Sequence, residues 1–180
     1  MKIVVASDIH GSAYYCREVI NAFEKEEADK LLLLGDLLYH GPRNDFPKDY
    51  DTKACTAMLN ARKQDIMAVR GNCDAEVDQM VLEFPIMADY CILYAGGRMI
   101  FATHGHLFNT EHMPMLQPGD ILLHGHTHVQ VCEPVGDNYY INPGSASLPK
   151  DGSKHAYMVI TDESIVWKTF EGEIINEMQL

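Results

Sequence analysis

Apolar residues along this chain come first in short unbroken runs and later in alternation. Lys2–Ala6 and Lys30–Leu34 are short runs rich in branched aliphatics, the pattern of strands buried on both faces. Between them, Cys16, Val19, Ile20 and Phe23 recur at helical spacing behind Ser12, a residue suited to capping, which predicts a helix over about 13–27. The stretch 41–51 holds two Pro, three Asp and a Gly and reads as a long polar loop. Thr52–Arg62 then reads as a second helix with Ala54, Cys55, Met58 and Leu59 on one face, and Asp65–Val69 as a third strand. Asp74 is placed to cap a short helix over about 75–82.

After Pro85 the texture changes. Short strand-like runs follow at about 90–94, 98–103, 120–124, 129–133, 138–142, 155–161 and 164–169, separated by turns. A βαβαβ opening followed by a strand-rich half predicts an α/β fold of two packed sheets with helices outside. No repeat or long linker interrupts it, so residues 1–180 read as a single domain.

Composition narrows the function. The formal charge of −12 argues against duplex nucleic acid as a partner, because backbone phosphates are bound by basic surfaces. The apolar runs are too short for a membrane-spanning helix or the core of a signal peptide. Five scattered cysteines without a CxxC pair read as reduced thiols, which points to the cytoplasm.

Polar residues with metal-binding chemistry stand where five apparent strands end. Asp8-Ile9-His10 follows the first strand, Gly35-Asp36 the second and Gly71-Asn72 the third. Further on come Thr103-His104-Gly105-His106 and Gly125-His126-Thr127-His128. In open α/β sheets, ligands gather at the carboxyl ends of strands, so these segments are predicted to meet in one crevice. Asp8, His10, Asp36, Asn72, His104, His126 and His128 make seven donors, too many for one small ion and enough for two that share a carboxylate. Oxygen and imidazole donors without thiolate suit manganese above all, with zinc, iron, cobalt or nickel as alternatives. Two such ions outweigh two aspartates and make a positive pocket in an acidic protein.

These ordered segments resemble the motifs of the calcineurin-like metallophosphoesterase superfamily, over residues 3 to about 147. Within it the chain resembles the YfcE-type bacterial phosphodiesterases, through 35–44, 69–74 and Asn142-Pro143-Gly144-Ser145. The resemblance implies an α/β/β/α sandwich and hydrolysis of small phosphodiesters by a water or hydroxide activated at a binuclear metal centre. It also implies the division of donors. Asp8, His10, Asp36 and His128 hold one ion; Asp36, Asn72, His104 and His126 hold the other, with Asp36 bridging. The superfamily mostly reads Gly-Asn-His at the third motif, the His protonating the leaving oxygen or steadying the transition state. Here Cys73 stands in that place, and a thiol beside two cations is expected to have a lowered pKa. Asn72 and Cys73 are thus the catalytic candidates, while Arg43, Asn44 and His106 are candidates for binding substrate. Three other functions belong to the same frame: a phosphomonoesterase, a protein phosphatase and a non-catalytic Vps29-like scaffold. The partner expected is a small phosphodiester, and a homo-oligomer is compatible with the sequence.

Overall fold

A computed structural model describes residues 1–180. The chain runs β1 (Ile3–Ala6), α1 (Ala13–Lys25), β2 (Lys30–Leu33), α2 (Thr52–Asn60), β3 (Ile66–Ala68) and α3 (Glu76–Gln79). The strand-rich half follows as β4 (Tyr90–Ala95), β5 (Arg98–Thr103), β6 (Ile121–His124), β7 (Gln130–Val135), β8 (Asn138–Pro143), β9 (Ala156–Ile160), β10 (Ser164–Thr169) and β11 (Ile174–Gln179).

Two mixed sheets result, one ordered β11-β10-β9-β1-β2-β3 and the other β4-β5-β6-β8-β7. β1, β2 and β3 run parallel in the first, as do β5, β6 and β8 in the second. Side chains alternate across the first sheet. Val4, Ala6, Leu31 and Leu33 face α1 and α2, whereas Ile3, Val5, Leu32 and Leu34 meet Ile100, Ile121, Leu123 and Ile141 of the second sheet. Burial on both faces is why these runs are uninterrupted. The Trp167 indole N–H donates to the Asn142 carbonyl at 2.8 Å and ties the sheets together.

The predicted layers are present, with one asymmetry. The outer face of the second sheet carries Phe101, Leu122 and Tyr140, packed under Phe108, Met113 and Leu116 of an irregular segment. No helix lies there. No helix of the protein is long and apolar enough to cross a membrane.

Several boundaries differ from expectation for local reasons. α1 ends at Lys25 because Glu27 takes a left-handed conformation (φ 50°). α3 has only four residues, and its N-cap is Ala75, whose N–H donates to Asp78. Asp74 therefore does not cap it. β11 was not predicted from the sequence, since it is a mostly exposed edge strand.

Candidate metal centre

The carboxyl ends of β1, β2, β3, β5 and β6 bring all five polar segments to one edge of the sandwich. The backbone there is bent sharply. Of the eight non-glycine residues with positive φ, five are predicted ligands: Asp8 (56°), His10 (50°), Asp36 (54°), His126 (66°) and His128 (63°). Each such residue costs about 1–3 kcal/mol, so the fold concentrates its backbone strain at this spot. The loops after β2 and β3 also touch. A Cβ on Gly71 would overlap the Asp36 carboxylate, so only glycine lets Asn72 approach.

The side chains form two groups sharing one oxygen. In the buried group, Asp8 Oδ1 lies 3.6 Å from His10 Nε2 and 3.3 Å from His128 Nε2, and the two ring nitrogens are 3.2 Å apart. In the second group, His104 Nε2 lies 3.0 Å from Asn72 Oδ1 and 3.2 Å from His126 Nδ1. Asp36 Oδ2 lies 3.7 Å from His10 Nε2 and 3.5 Å from His104 Nε2, between the groups. Its other oxygen accepts the Cys73 N–H at 2.8 Å. Metal–donor bonds of about 2.0–2.2 Å place neighbouring donors about 2.8–3.6 Å apart, a range that holds every one of these spacings except the slightly wider 3.7 Å from Asp36 to His10.

Protonation states support the same fit. Carbonyl oxygens only accept, so His10 donates its Nδ1–H to Tyr39 (2.8 Å), His104 to Leu34 (2.6 Å) and His128 to Leu148 (2.7 Å). With Nδ1 held by a carbonyl, each ring turns Nε2 into the cluster, the nitrogen that a cation there would take. Asp8 Oδ1 is buried and accepts no hydrogen bond, while Oδ2 accepts from Ser7 and from the His126 N–H. Burial alone raises the Asp8 pKa, but His10 and His128 outweigh it and hold the carboxyl well below its usual range. Burial lowers the His10 pKa, and Asp8 and Asp36 more than reverse that, so it stands raised. Both shifts show a pocket that favours positive charge. His126 moves the other way, lowered by burial and then by His104.

Beside the second group, Asn72 and Thr127 are exposed and His126 half-buried, and here the site opens to a cleft of about 380 Å³. The cleft contains Cys73, Arg43 and Asn44. Arg43 is exposed, while the Asn44 amide donates to the His40 carbonyl at 2.8 Å and braces the loop that carries Arg43. His106 sits elsewhere, in a neighbouring cavity with Asn109, His124 and Tyr140, its ring 5.4 Å from that of His104. For Cys73, burial and then the Asp36 charge push the thiol up, the opposite of the expected lowering. That lowering depends wholly on cations, whereas the protein's own groups act in the other direction.

Three contributors escape sequence reasoning. Asp74 accepts the N–H groups of Asp36 (2.8 Å), Leu37 (2.9 Å) and Gly71 (2.7 Å), clamping the two ligand-bearing turns together. Lys150 and Thr127 complete the cleft. Asp74 was singled out in the sequence only as a helix cap and Thr127 only by its place inside Gly125-His126-Thr127-His128, while Lys150 carried no signal. The turn at Asn142-Pro143-Gly144-Ser145 is structural: Ser145 and Ser147 both donate to the Asp8 carbonyl, at 2.8 and 2.9 Å.

Known proteins share this arrangement of elements. The sequence model of the calcineurin-like phosphoesterase superfamily domain matches residues 1–164. Phosphodiesterase YfcE of Escherichia coli K12 is 44% identical over 163 residues, covering 91% of this chain and 89% of YfcE. The solved structure of YfcE, described as a phosphoesterase from E. coli, superposes with a TM-score of 0.95 at 40% identity over 99% of both chains. Vps29 of Entamoeba histolytica, solved with zinc, matches with a TM-score of 0.58 at 20% identity over 99% of both chains, which shows a shared fold alone. The chain belongs to the calcineurin-like phosphoesterase superfamily.

Proposed function

We propose that this protein is a metal-dependent phosphodiesterase acting on small phosphodiesters through a binuclear centre, with Asp36 bridging. The observation that carries the reading is Asp36 Oδ2, which faces His10 of one donor group and His104 of the other. Asp8, His10, Asp36 and His128 would hold the first ion, and Asp36, Asn72, His104 and His126 the second. Two divalent ions there supply Lewis acidity towards a phosphoryl group and an acidified water.

The chain's own residues define the rest. Three backbone carbonyls accept the Nδ1–H of His10, His104 and His128 and so orient each ring with Nε2 towards the candidate centre. Asn72 and His126, at the open side, leave room for substrate oxygens, and Arg43 supplies a guanidinium suited to two-point contact with phosphate. Cys73 is a poor proton donor in either condition. A thiol held above its ordinary range is a weak acid, and one drawn down by cations has already lost its proton. The leaving oxygen must then carry its own charge away, which favours esters of acidic alcohols and phenols.

Manganese is the proposed activator, on the hardness of the donor set. Five free thiols, two of them buried, support a cytoplasmic setting. The scaffold reading is disfavoured because all seven donor positions are filled.

A panel of bis(4-nitrophenyl) phosphate and 4-nitrophenyl phosphate, with and without manganese, tests the function. The diester should turn over faster, and chelation should abolish turnover. Faster monoester cleavage, or full activity in chelated protein shown metal-free by elemental analysis, would overturn it.

A further inference from the structure

Lys150 lies in the cleft beside the metal centre, on the loop that follows β8. Its backbone is fixed by a predicted ligand: the Lys150 N–H donates to the His128 carbonyl at 3.0 Å, and His128 Nδ1 donates to Leu148 at 2.7 Å. Residues 148–150 thus grip His128 from both sides, and the lysine keeps a set place relative to the ions' donors. Arg43 enters the same cleft from the loop after β2. Neither side chain makes an ion pair, although other cations do so in Lys63–Glu83, Lys154–Glu173 and Lys168–Glu26.

Charge counting makes this pair informative. The protein is strongly acidic, at −12, yet two uncompensated cations stand in one small cleft. The scissile diester carries a single negative charge, which two ions held by two aspartates already outweigh. With Arg43 already serving that group, Lys150 is a cation beyond what it needs. With a volume of about 380 Å³, the cleft also has space beyond one phosphate.

We propose that Lys150, across the cleft from the Arg43 that serves the scissile group, forms a second anion subsite, and that the preferred substrates are phosphodiesters bearing an additional phosphate on the same molecule. The inference rests on the phosphodiesterase reading above. Lys150 is a specificity residue in it, holding the remote phosphate through a charge-assisted hydrogen bond while the ester bond is cleaved elsewhere. Its effect falls on KM.

The test compares two probes with the same nitrophenolate leaving group: thymidine 5′-(4-nitrophenyl phosphate) and its 3′-phosphorylated counterpart. The full-length, metal-loaded protein should favour the second by about tenfold in kcat/KM at low salt, the size of one charge-assisted hydrogen bond. Lys150→Ala should erase most of that preference through KM, Lys150→Glu should reverse it, and Lys150→Arg should retain part of it. Calorimetry gives a readout independent of turnover: thymidine 3′,5′-bisphosphate should bind more tightly than thymidine 5′-monophosphate, and Lys150→Ala should remove the difference. Equal kcat/KM for the two probes in the unmodified protein would overturn the subsite. So would Lys150 variants that slow both probes by one common factor. If the unmodified, metal-loaded protein cleaves neither probe nor bis(4-nitrophenyl) phosphate, the phosphodiesterase reading itself fails.

Discussion

Replacing Asp74 by alanine should destabilise the fold and loosen the metal centre together. The side chain is almost fully buried, with Oδ2 accepting from the N–H groups of Asp36 and Gly71 and Oδ1 from that of Leu37. A hydrogen bond to a charged acceptor contributes about 1.5–3 kcal/mol, so three of them give about 5–9 kcal/mol before offsets. The main offset is the cost of burying the carboxylate, several kcal/mol for a charge in a protein interior. That cost is visible here: burial, and next the Asp36 charge, raise the Asp74 pKa despite the backbone bonds that lower it. Asp74→Ala leaves three buried N–H groups without an acceptor, at about 1–3 kcal/mol each before the relieved burial cost is set against them, so a net loss of about 2–4 kcal/mol follows. Asp74→Asn keeps one acceptor oxygen and should fall between the two.

Urea unfolding read by Trp167 suits this measurement, because the single tryptophan is only 1% exposed in the folded protein. Excess chelator removes the contribution of bound ions, which would otherwise add mass-action stability to whichever variant binds better. A helix-capping role predicts a different outcome, a loss of about 0.5–2 kcal/mol with metal affinity intact. Stability of Asp74→Ala within about 0.5 kcal/mol of the parent, at unchanged denaturant slope, would refute the clamp.

The remaining predictions concern the ions, the substrate and one surface hub. By elemental analysis His104→Ala should retain one ion and Asp36→Ala should lose affinity for both; two ions bound to Asp36→Ala at parental affinity would exclude the bridge. Arg43→Ala should raise KM for bis(4-nitrophenyl) phosphate at normal metal content, with Arg43→Lys restoring only part, since an ammonium lacks the planar fork; unchanged kinetics would leave Arg43 a solvated loop residue. Cys73→His, once shown to be fully metallated, should gain most on monoesters and poor leaving groups, where a positioned acid contributes about 10²–10⁴-fold; equal scaling of all substrates would remove position 73 from leaving-group chemistry. Glu26 accepts from Lys168 and Tyr157, at 2.7 and 2.9 Å. Burial raises its pKa, but those bonds outweigh it and leave it lowered, so its stabilisation is present above the unfolded carboxyl pKa and lost as pH falls through the folded one. Glu26→Gln should cost about 1–2 kcal/mol at pH 7 and almost nothing near pH 3 in urea titrations, and a pH-independent cost would contradict this.

Where burial is two-sided, local pattern and tertiary role coincide, and the sequence is legible. Val4 and Val5 face different cores, yet both must be apolar, so the run reads as a strand from either side. The site was legible for a related reason: a strand that ends in Gly with His, Asp or Asn beside it marks its own position in a parallel sheet. Asp74 illustrates the limit. A carboxylate ahead of a short helix and one that clamps two distant turns do the same chemistry, accepting backbone N–H groups. Which N–H groups it meets is decided by β2 and β3 lying side by side. Lys150 gave no signal because a lone lysine after proline is commonplace, and its position depends on a hydrogen bond to His128, 22 residues earlier. β11 is hidden by exposure: Ile174, Asn176, Glu177 and Gln179 face solvent, and the two residues that touch the core, Ile175 and Met178, stand three apart and break the alternation of a strand.

The strained backbone at the candidate site is sustained from outside the strained loops. Five left-handed residues are unfavourable locally, and each is held by something outside its own loop. The Asp8 carbonyl is gripped by Ser145 and Ser147, His10 by the Tyr39 carbonyl, the Asp36 turn by Asp74, His126 by Asp8, and His128 by Leu148 and Lys150. Cores on both sides of the first sheet hold those partners in place, so the stability that sustains the strain comes from aliphatic burial, remote from the site. Here the left-handed turns that carry five of the seven candidate donors are braced by hydrogen bonds between loops and by the two aliphatic cores beneath them.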